Sequence, residues 1–424
     1  MTGLTRNPLI KSLLGFRGNR AAIVFTEPLW GIPYNLYAPF MGIYMYALGV
    51  SYKQIGLIAS VVMFLQVFSS FIGGVITDKL GRRVTLALLD LISWTIPLII
   101  WLTARNFYFF LIAASINSLW QISANAWSCM IAEDAEKNAI VDIYNWIYIS
   151  GQLVVFFAPF SAMLVKNLSV VPAMRILLGI AFFLMTFKFI LMFVVCRETE
   201  LGKRRIAETK GVKIKKMLAG YAKKLPDVFN LKSPEIFLTL MIMIIMNVVS
   251  SITGSFFGLL AVNKYHAPEE NLAYYPIIRA VIFLFFMFII QRRLNRCPIK
   301  ILMVTGVAVY ILSHLFLVFL PFGRDLSVIA YIFAEACAVV IFMPRRDLLL
   351  VSVLEPESRP ITLSIVNCAM LTVSTPFGYI GGALSSFDER LPFIMNIVLL
   401  GLAVLILVRF RNLSKLMDND EFHV

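Results

Sequence analysis

Long apolar runs, each near twenty residues and separated by short polar gaps, constrain this chain more than any other feature. A helix needs ~20 apolar residues to cross a ~30 Å hydrocarbon layer, and these runs match that length. Of the 424 residues 60% are hydrophobic and 15% charged, against roughly 25% charged in an ordinary soluble domain. A soluble fold of this size could not cover its exterior with so few polar side chains. The pattern predicts an all-α polytopic membrane protein with twelve transmembrane helices. Six spans fall at 21–48, 54–76, 84–104, 107–131, 141–165 and 172–195. Six more fall at 236–262, 274–291, 299–321, 326–351, 361–385 and 391–409. The organisation that follows is an N-terminal six-helix half (1–196), a cytoplasmic linker (197–234) and a C-terminal six-helix half (235–424).

The formal charge of +14 does not describe a nucleic-acid face, because the bases sit in the gaps between apolar runs and at the termini. With the N-terminus inside, 29 of the 38 Lys and Arg lie on the cytoplasmic side and six on the other. This asymmetry puts both termini in the cytoplasm of a bacterial-type inner membrane. The segment from Ala21 to Leu48 follows a basic stretch but is too long for a cleaved signal peptide, and it reads as the first span. The stretch 197–233, with RETELGKRR and KIKKM, reads as an amphipathic helix on the inner leaflet or as a solvated basic linker. Five widely spaced cysteines and scattered His266, His314 and His423 predict neither a disulfide nor a metal site, and no cofactor is expected.

The two halves carry a degenerate repeat: helix 4 leads into IAEDAEKNAI and helix 10 into VLEPESRPIT, so Asp134 matches Glu355 and Glu136 matches Glu357. Between helices 2 and 3 stands GGVITDKLGRR, residues 73–83. It resembles the signature loop of the major facilitator superfamily, G-x-x-x-D-(R/K)-x-G-R-(R/K), with Gly74, Asp78, Lys79, Gly81, Arg82 and Arg83 on the family's positions. The resemblance implies two pseudo-symmetric six-helix halves that move around a central cavity. It also implies a gating role for these loop residues. Gly74 would allow close helix approach and Gly81 a turn, while Asp78 could accept hydrogen bonds from a neighbouring helix N-terminus. Two departures weaken a resemblance to the family's proton/drug antiporters: helix 4 has no Arg, and helix 5 lacks their glycine pattern. Helix 11 carries STPFGYIGG instead.

An ionisable group inside a span costs ~2.5–3.5 kcal/mol, so each needs a partner or a purpose. Glu27 in helix 1 shares a broad face with Trp30 and Tyr34, and Asn35 follows. The resemblance makes it a candidate for the coupling proton; the alternative is a structural bond to backbone or a lysine. Glu335 in helix 10 is the second proton candidate, at a depth compatible with Arg279 of helix 8. Such a pair would serve as a substrate site, a gate or packing. Trp120, Gln121 and Asn125 of helix 4 and Asn247 and Ser250 of helix 7 are candidates for lining the cavity. Arg346 is another, or it snorkels beside Arg345. Asp90 is expected to pair with a nearby base, and Lys188 to snorkel.

The leading functional expectation is a proton-coupled secondary transporter and not an enzyme, since no nucleotide motif and no catalytic constellation stand in the sequence. Its partners would be a small solute, protons and membrane lipid, with no nucleic acid, and the chain would act as a monomer. The alternatives are an uncoupled facilitator or a transporter-derived receptor. Substrate class stays open between a sugar, nucleoside or organic anion and an amphipathic drug.

Overall fold

A computed structural model of the protein describes residues 13, 15–133, 137–220, 234–294, 297–319, 326–353 and 359–409. The acidic turns holding Asp134, Glu136, Glu355 and Glu357, and His423, lie outside the described residues. The described chain is helical, with no strand. The long helices are α1 (19–47), α2 (Tyr52–Leu80), α3 (Arg82–Leu102), α4 (Phe107–Glu133), α5 (137–168) and α6 (Val170–Val195). They continue as α7 (234–264), α8 (275–294), α9 (Ile299–Phe319), α10 (Leu326–Val353), α11 (Arg359–Ser385) and α12 (Leu391–Arg409). By length and composition, nine of these qualify to cross a membrane: α2 to α7, α9, α10 and α12.

Interruptions within the helices have local causes. In α1, Pro28 and Pro33 lie inside the helix and a 3₁₀ turn at Ala38–Phe40 contains Pro39. Single π turns occur in α3 at Leu91–Thr95, in α7 at Leu260–Lys264 and in α8 at Phe286–Ile290. The π turn of α3 is held from α4, where Asn117 Nδ2 donates to the Ser93 carbonyl at 2.8 Å. Pro344 cannot donate to the Val340 carbonyl one turn earlier, and the Arg345 guanidinium takes that place, donating to Val340 O (3.3 Å) and Ile341 O (3.2 Å).

The chain clusters into two units, Met1–Tyr44 with Leu65–Lys223, and Met45–Phe64 with Lys224–Val424. In the first, Ile23 of α1, Ala126 and Met130 of α4, Ile143 of α5 and Met192 of α6 pack as one apolar core. In the second, α7, α9, α10 and α12 pack around Val249, Met303, Phe342 and Leu400. Between apolar helices in lipid, close van der Waals fit replaces the hydrophobic drive, so small residues mark the tightest contacts. The start of α2 belongs to the second unit for this reason. A methyl added at Gly56 would lie 2.4 Å from the Gly378 carbonyl oxygen, and one at Gly382 would lie 2.5 Å from that of Tyr52. Beside them Ser60 of α2 enters the backbone ladder of α11: Tyr379 N–H donates to Ser60 Oγ at 2.8 Å, and Ser60 donates to the Thr375 carbonyl at 2.5 Å.

Of the two readings of the polar linker, the helical one has a counterpart, and the contacts of that helix shown here are with the protein. The linker helix Glu200–Thr209 is held by protein on one side, with Gly202 and Thr199 buried. Thr209 Oγ1 donates to the Asp78 carbonyl at 3.2 Å, and Lys79 Nζ donates to the Val212 carbonyl.

Candidate functional site

Most of the signature segment is helix. α2 runs on to Leu80, α3 begins at Arg82, and Gly81 alone makes the turn, at φ +87°. That left-handed conformation suits glycine. Space requires glycine as well, since a methyl there would lie 2.5 Å from the Glu198 carboxylate. Glu198 seats its two oxygens on the α3 N-terminus, accepting from the Arg82 N–H (2.9 Å) and the Arg83 N–H (3.0 Å). The first-turn N–H groups of a helix have no partner within it and carry the positive end of its dipole, so a carboxylate fits there.

Arg82 is 3% exposed and binds on two sides. Its Nη2 and Nε hold the Glu133 carboxylate at 2.8 to 3.1 Å, and its Nη1 donates to Asp78 Oδ1 at 3.2 Å. Thr199 Oγ1 donates to Glu133 at 2.6 Å and accepts from the Gly202 N–H at 2.9 Å. Arg83 donates to the Phe193 carbonyl and lies 4.7 Å from that ring. One planar fork thus ties the ends of α2, α3 and α4 together. The glycine that lies close against α4 is Gly73, where an added methyl would lie 3.4 Å from Ile122 Cα, while its neighbour Gly74 is half-buried. Sequence reasoning found Asp78, Gly81 and Arg82 but missed Glu133, Glu198 and Thr199, which bear no fixed spacing to the motif.

Within the first unit, Glu27 is paired. Lys188 Nζ of α6 donates to its Oε2 at 2.9 Å, with the side chains 10% and 16% exposed. Lys188 therefore does not snorkel: a partner inside the bundle offsets its burial better than a long reach to the surface. The Lys188 ammonium lies 5.9 Å from the Trp30 ring. Trp30 stacks on Tyr34 at 4.7 Å, and Trp94 of α3 meets both rings edge-on. Asn35 turns back on its own helix, donating to the Gly31 carbonyl at 2.8 Å. On α4, Trp120, Gln121 and Asn125 are all half-buried. Asp90 of α3 meets Ser123 of α4 instead of a base, and Lys188 and Glu27 lie within its electrostatic reach.

Within the second unit, Arg279 Nε donates to Glu335 Oε2 at 2.7 Å, which joins two residues the sequence reading paired by depth. Glu335 is buried, and Arg279 also stands 5.7 Å from the Phe257 ring. Asn247 is half-buried and Ser250 exposed on α7; the Nδ2 of Asn247 has no hydrogen-bond partner. Arg346 is half-buried next to the buried Arg345. His314, read only as one of three scattered histidines, is fully buried on α9. Its Nδ1 contacts the Tyr310 carbonyl at 3.0 Å, so that nitrogen donates, and its Nε2 accepts from Asn396 Nδ2 of α12 at 3.2 Å.

The sequence profile of the Major Facilitator Superfamily matches residues 29–344. An uncharacterized MFS-type transporter of Bacillus subtilis, YqjV, is 26% identical over 123 residues; the match covers 28% of this chain and 30% of that protein. Among solved structures, a D-xylose-proton symporter superposes with a TM-score of 0.72 at 15% identity, covering 93% of this chain and 99% of that one. The nucleoside transporter NupG gives 0.68 at 17% identity, covering 94% and 100%. A POT family transporter in complex with 5-aminolevulinic acid gives 0.68 at 14%, covering 93% and 96%. These likenesses establish the all-α fold, and the profile match over most of the chain establishes the family: this integral membrane protein belongs to the major facilitator superfamily of transporters.

Proposed function

We propose that the protein moves a small solute across the membrane by alternating access, with protons as the coupling ion. In this reading twelve spans form two six-helix halves, 1–196 and 235–424, joined by the cytoplasmic linker 197–234. Both termini face the cytoplasm of a bacterial-type inner membrane, and a monomer is the working unit. The observation that carries the proposal is that, among the described residues, each unit holds a carboxylate–base pair along its long helices, Glu27–Lys188 and Arg279–Glu335. Buried ion pairs are poor sources of stability, since desolvation offsets their attraction, so two of them in an apolar bundle favour a working role. A proton or a charged group of the solute competes with the partner in either pair. The Arg82 cluster, which ties the ends of α2, α3 and α4, serves cytoplasmic gating in this scheme.

For the substrate, we favour a solute with hydroxyl, amide or ionised groups over an apolar drug. Uncharged and charged hydrogen-bonding side chains stand beside the Trp30–Tyr34 stack in one unit and beside Arg279 in the other. The solutes named for the similar structures, D-xylose, nucleosides and 5-aminolevulinic acid, are compatible with that choice. A specific observation supports uncoupled facilitation as the second reading, because a Glu27 locked to Lys188 can be purely structural.

Proteoliposomes test the proposal. Sugars, nucleosides, peptides, organic anions and cationic drugs are applied while internal pH is followed, in wild type, Glu27→Gln and Glu335→Gln. Coupling predicts a pH change for one solute class that disappears in at least one variant while labelled solute still exchanges. Solute movement with no proton flux in the wild type would establish the facilitator instead.

A further inference from the structure

Among the described side chains of the long helices, the acidic groups divide by partner. Glu27 is held by Lys188, Glu335 by Arg279, and Asp78 and Glu133 by Arg82. Asp90 makes its contact with a hydroxyl, Ser123 Oγ of α4. That hydroxyl has two oxygen neighbours, since Ser123 Oγ also stands 2.9 Å from the Trp120 carbonyl of its own helix. A hydroxyl holds one proton, and a carbonyl oxygen can only accept. If the Ser123 proton serves Trp120, the proton between Ser123 and Asp90 comes from the carboxyl.

We infer that Asp90 is a protonated carboxyl in the resting protein, its O–H donating to Ser123, and that it shares the carriage of the coupling proton with the Glu27–Lys188 pair beside it. Its use in transport rests on the coupling proposed above; its protonation does not. The charged groups that face it are Lys188 of α6 and Glu27 of α1, and α4 presents Ser123. With Asp90 neutral, Lys188 and Glu27 balance. When the Asp90 O–H bond breaks and the proton leaves to water, the cluster gains one negative charge and Lys188 is drawn between two carboxylates. The Trp30–Tyr34 stack lies against that same lysine, so the change reaches the aromatic face a solute would use.

The position also gives the proton a mechanical consequence. Asp90 is the last residue before the π turn Leu91–Thr95, which α4 holds through Asn117 at the Ser93 carbonyl. α4 therefore meets this turn at the residue before it and at its middle, and ionisation of Asp90 reverses the first of these bonds, with Ser123 then donating to the carboxylate. Single π turns inside long helices are frequent at functional sites.

Infrared difference spectroscopy of the full chain in lipid, titrated with pH, reads buried protonated carboxyls without any solute. The expected result is a protonated-carboxyl carbonyl band at neutral pH that Asp90→Asn abolishes and Glu27→Gln leaves. Ser123→Ala should keep that band and move it to higher frequency, through loss of the hydrogen bond. If Asp90→Asn does not fold, Ser123→Ala carries the test alone. A band that survives Asp90→Asn, or does not move in Ser123→Ala, overturns the inference. Undiminished solute-driven proton flux in a folded Asp90→Asn overturns the carrying role and leaves the transport reading standing.

Discussion

At the scale of single residues, what Glu27 can do depends on Lys188. Removing one member of a buried pair leaves an uncompensated charge, which costs about 3–5 kcal/mol. Glu27→Gln and Lys188→Met should therefore each lower the thermal midpoint in detergent, and the double variant should recover much of the loss. If the losses simply add, the 2.9 Å contact is not the interaction that matters. Arg82 gives a second prediction at this scale. Arg82→Lys keeps the charge but cannot fork between Glu133 and Asp78, so transport should fall sharply. Wild-type transport in that variant would show that charge alone suffices. These residues differ in how far sequence revealed them. Asp78 and Arg82 sit in a fixed motif, and Glu335 and Arg279 stand out as charges in apolar runs. The pairing of Glu27 with Lys188 depends on how α1 and α6 rotate about their axes, and hydropathy does not encode that rotation.

At the scale of helices, length and order were legible because apolar runs set them, while interruptions were not. Gly81 was read as a turn and makes it, while α2 runs past its expected end at 76 to Leu80 with Asp78 inside the helix, since a single left-handed glycine suffices to redirect the chain. The glycines of STPFGYIGG have their partner at the start of α2, which Gly378 and Gly382 approach closely. Gly56→Ala and Gly382→Ala should each reduce folded yield and lower the thermal midpoint. Gly254→Ala, where nothing lies within 4 Å, should be neutral or stabilising by up to about 1 kcal/mol from helix propensity. Equal outcomes at the three sites would contradict the close α2–α11 contact.

The turn after α11 adds a pH dependence. Arg390 donates to both oxygens of Asp388 through its guanidinium and once through its backbone N–H, and Lys264 adds a contact at 3.3 Å. Arg390 thereby holds the Asp388 carboxyl well below the usual range. A depressed folded value contributes stability above the unfolded value, near pH ~4, which is lost as pH falls through the folded one. Thermal midpoints below about pH 4 should therefore decline less steeply in Asp388→Asn than in wild type. An identical acid limb would show that this cluster contributes nothing measurable.

At the scale of the whole molecule, the family and its fold follow from a profile match over residues 29–344 and from likeness to solved transporters, and the sequence had signalled both through its apolar periodicity and residues 73–83. Solute identity was not legible, because one fold serves many cargoes and a few side chains decide among them. The central claim is that the protein is a carrier whose site opens to one side at a time. Counterflow tests it most directly. Proteoliposomes are loaded with unlabelled solute of the class found by the pH screen, then diluted into trace labelled solute with no ion gradient. A carrier predicts transient accumulation of label above equilibrium, driven by exchange, and its loss when the Arg82 cluster is broken. Label that merely equilibrates, at a rate indifferent to the internal solute, would contradict alternating access.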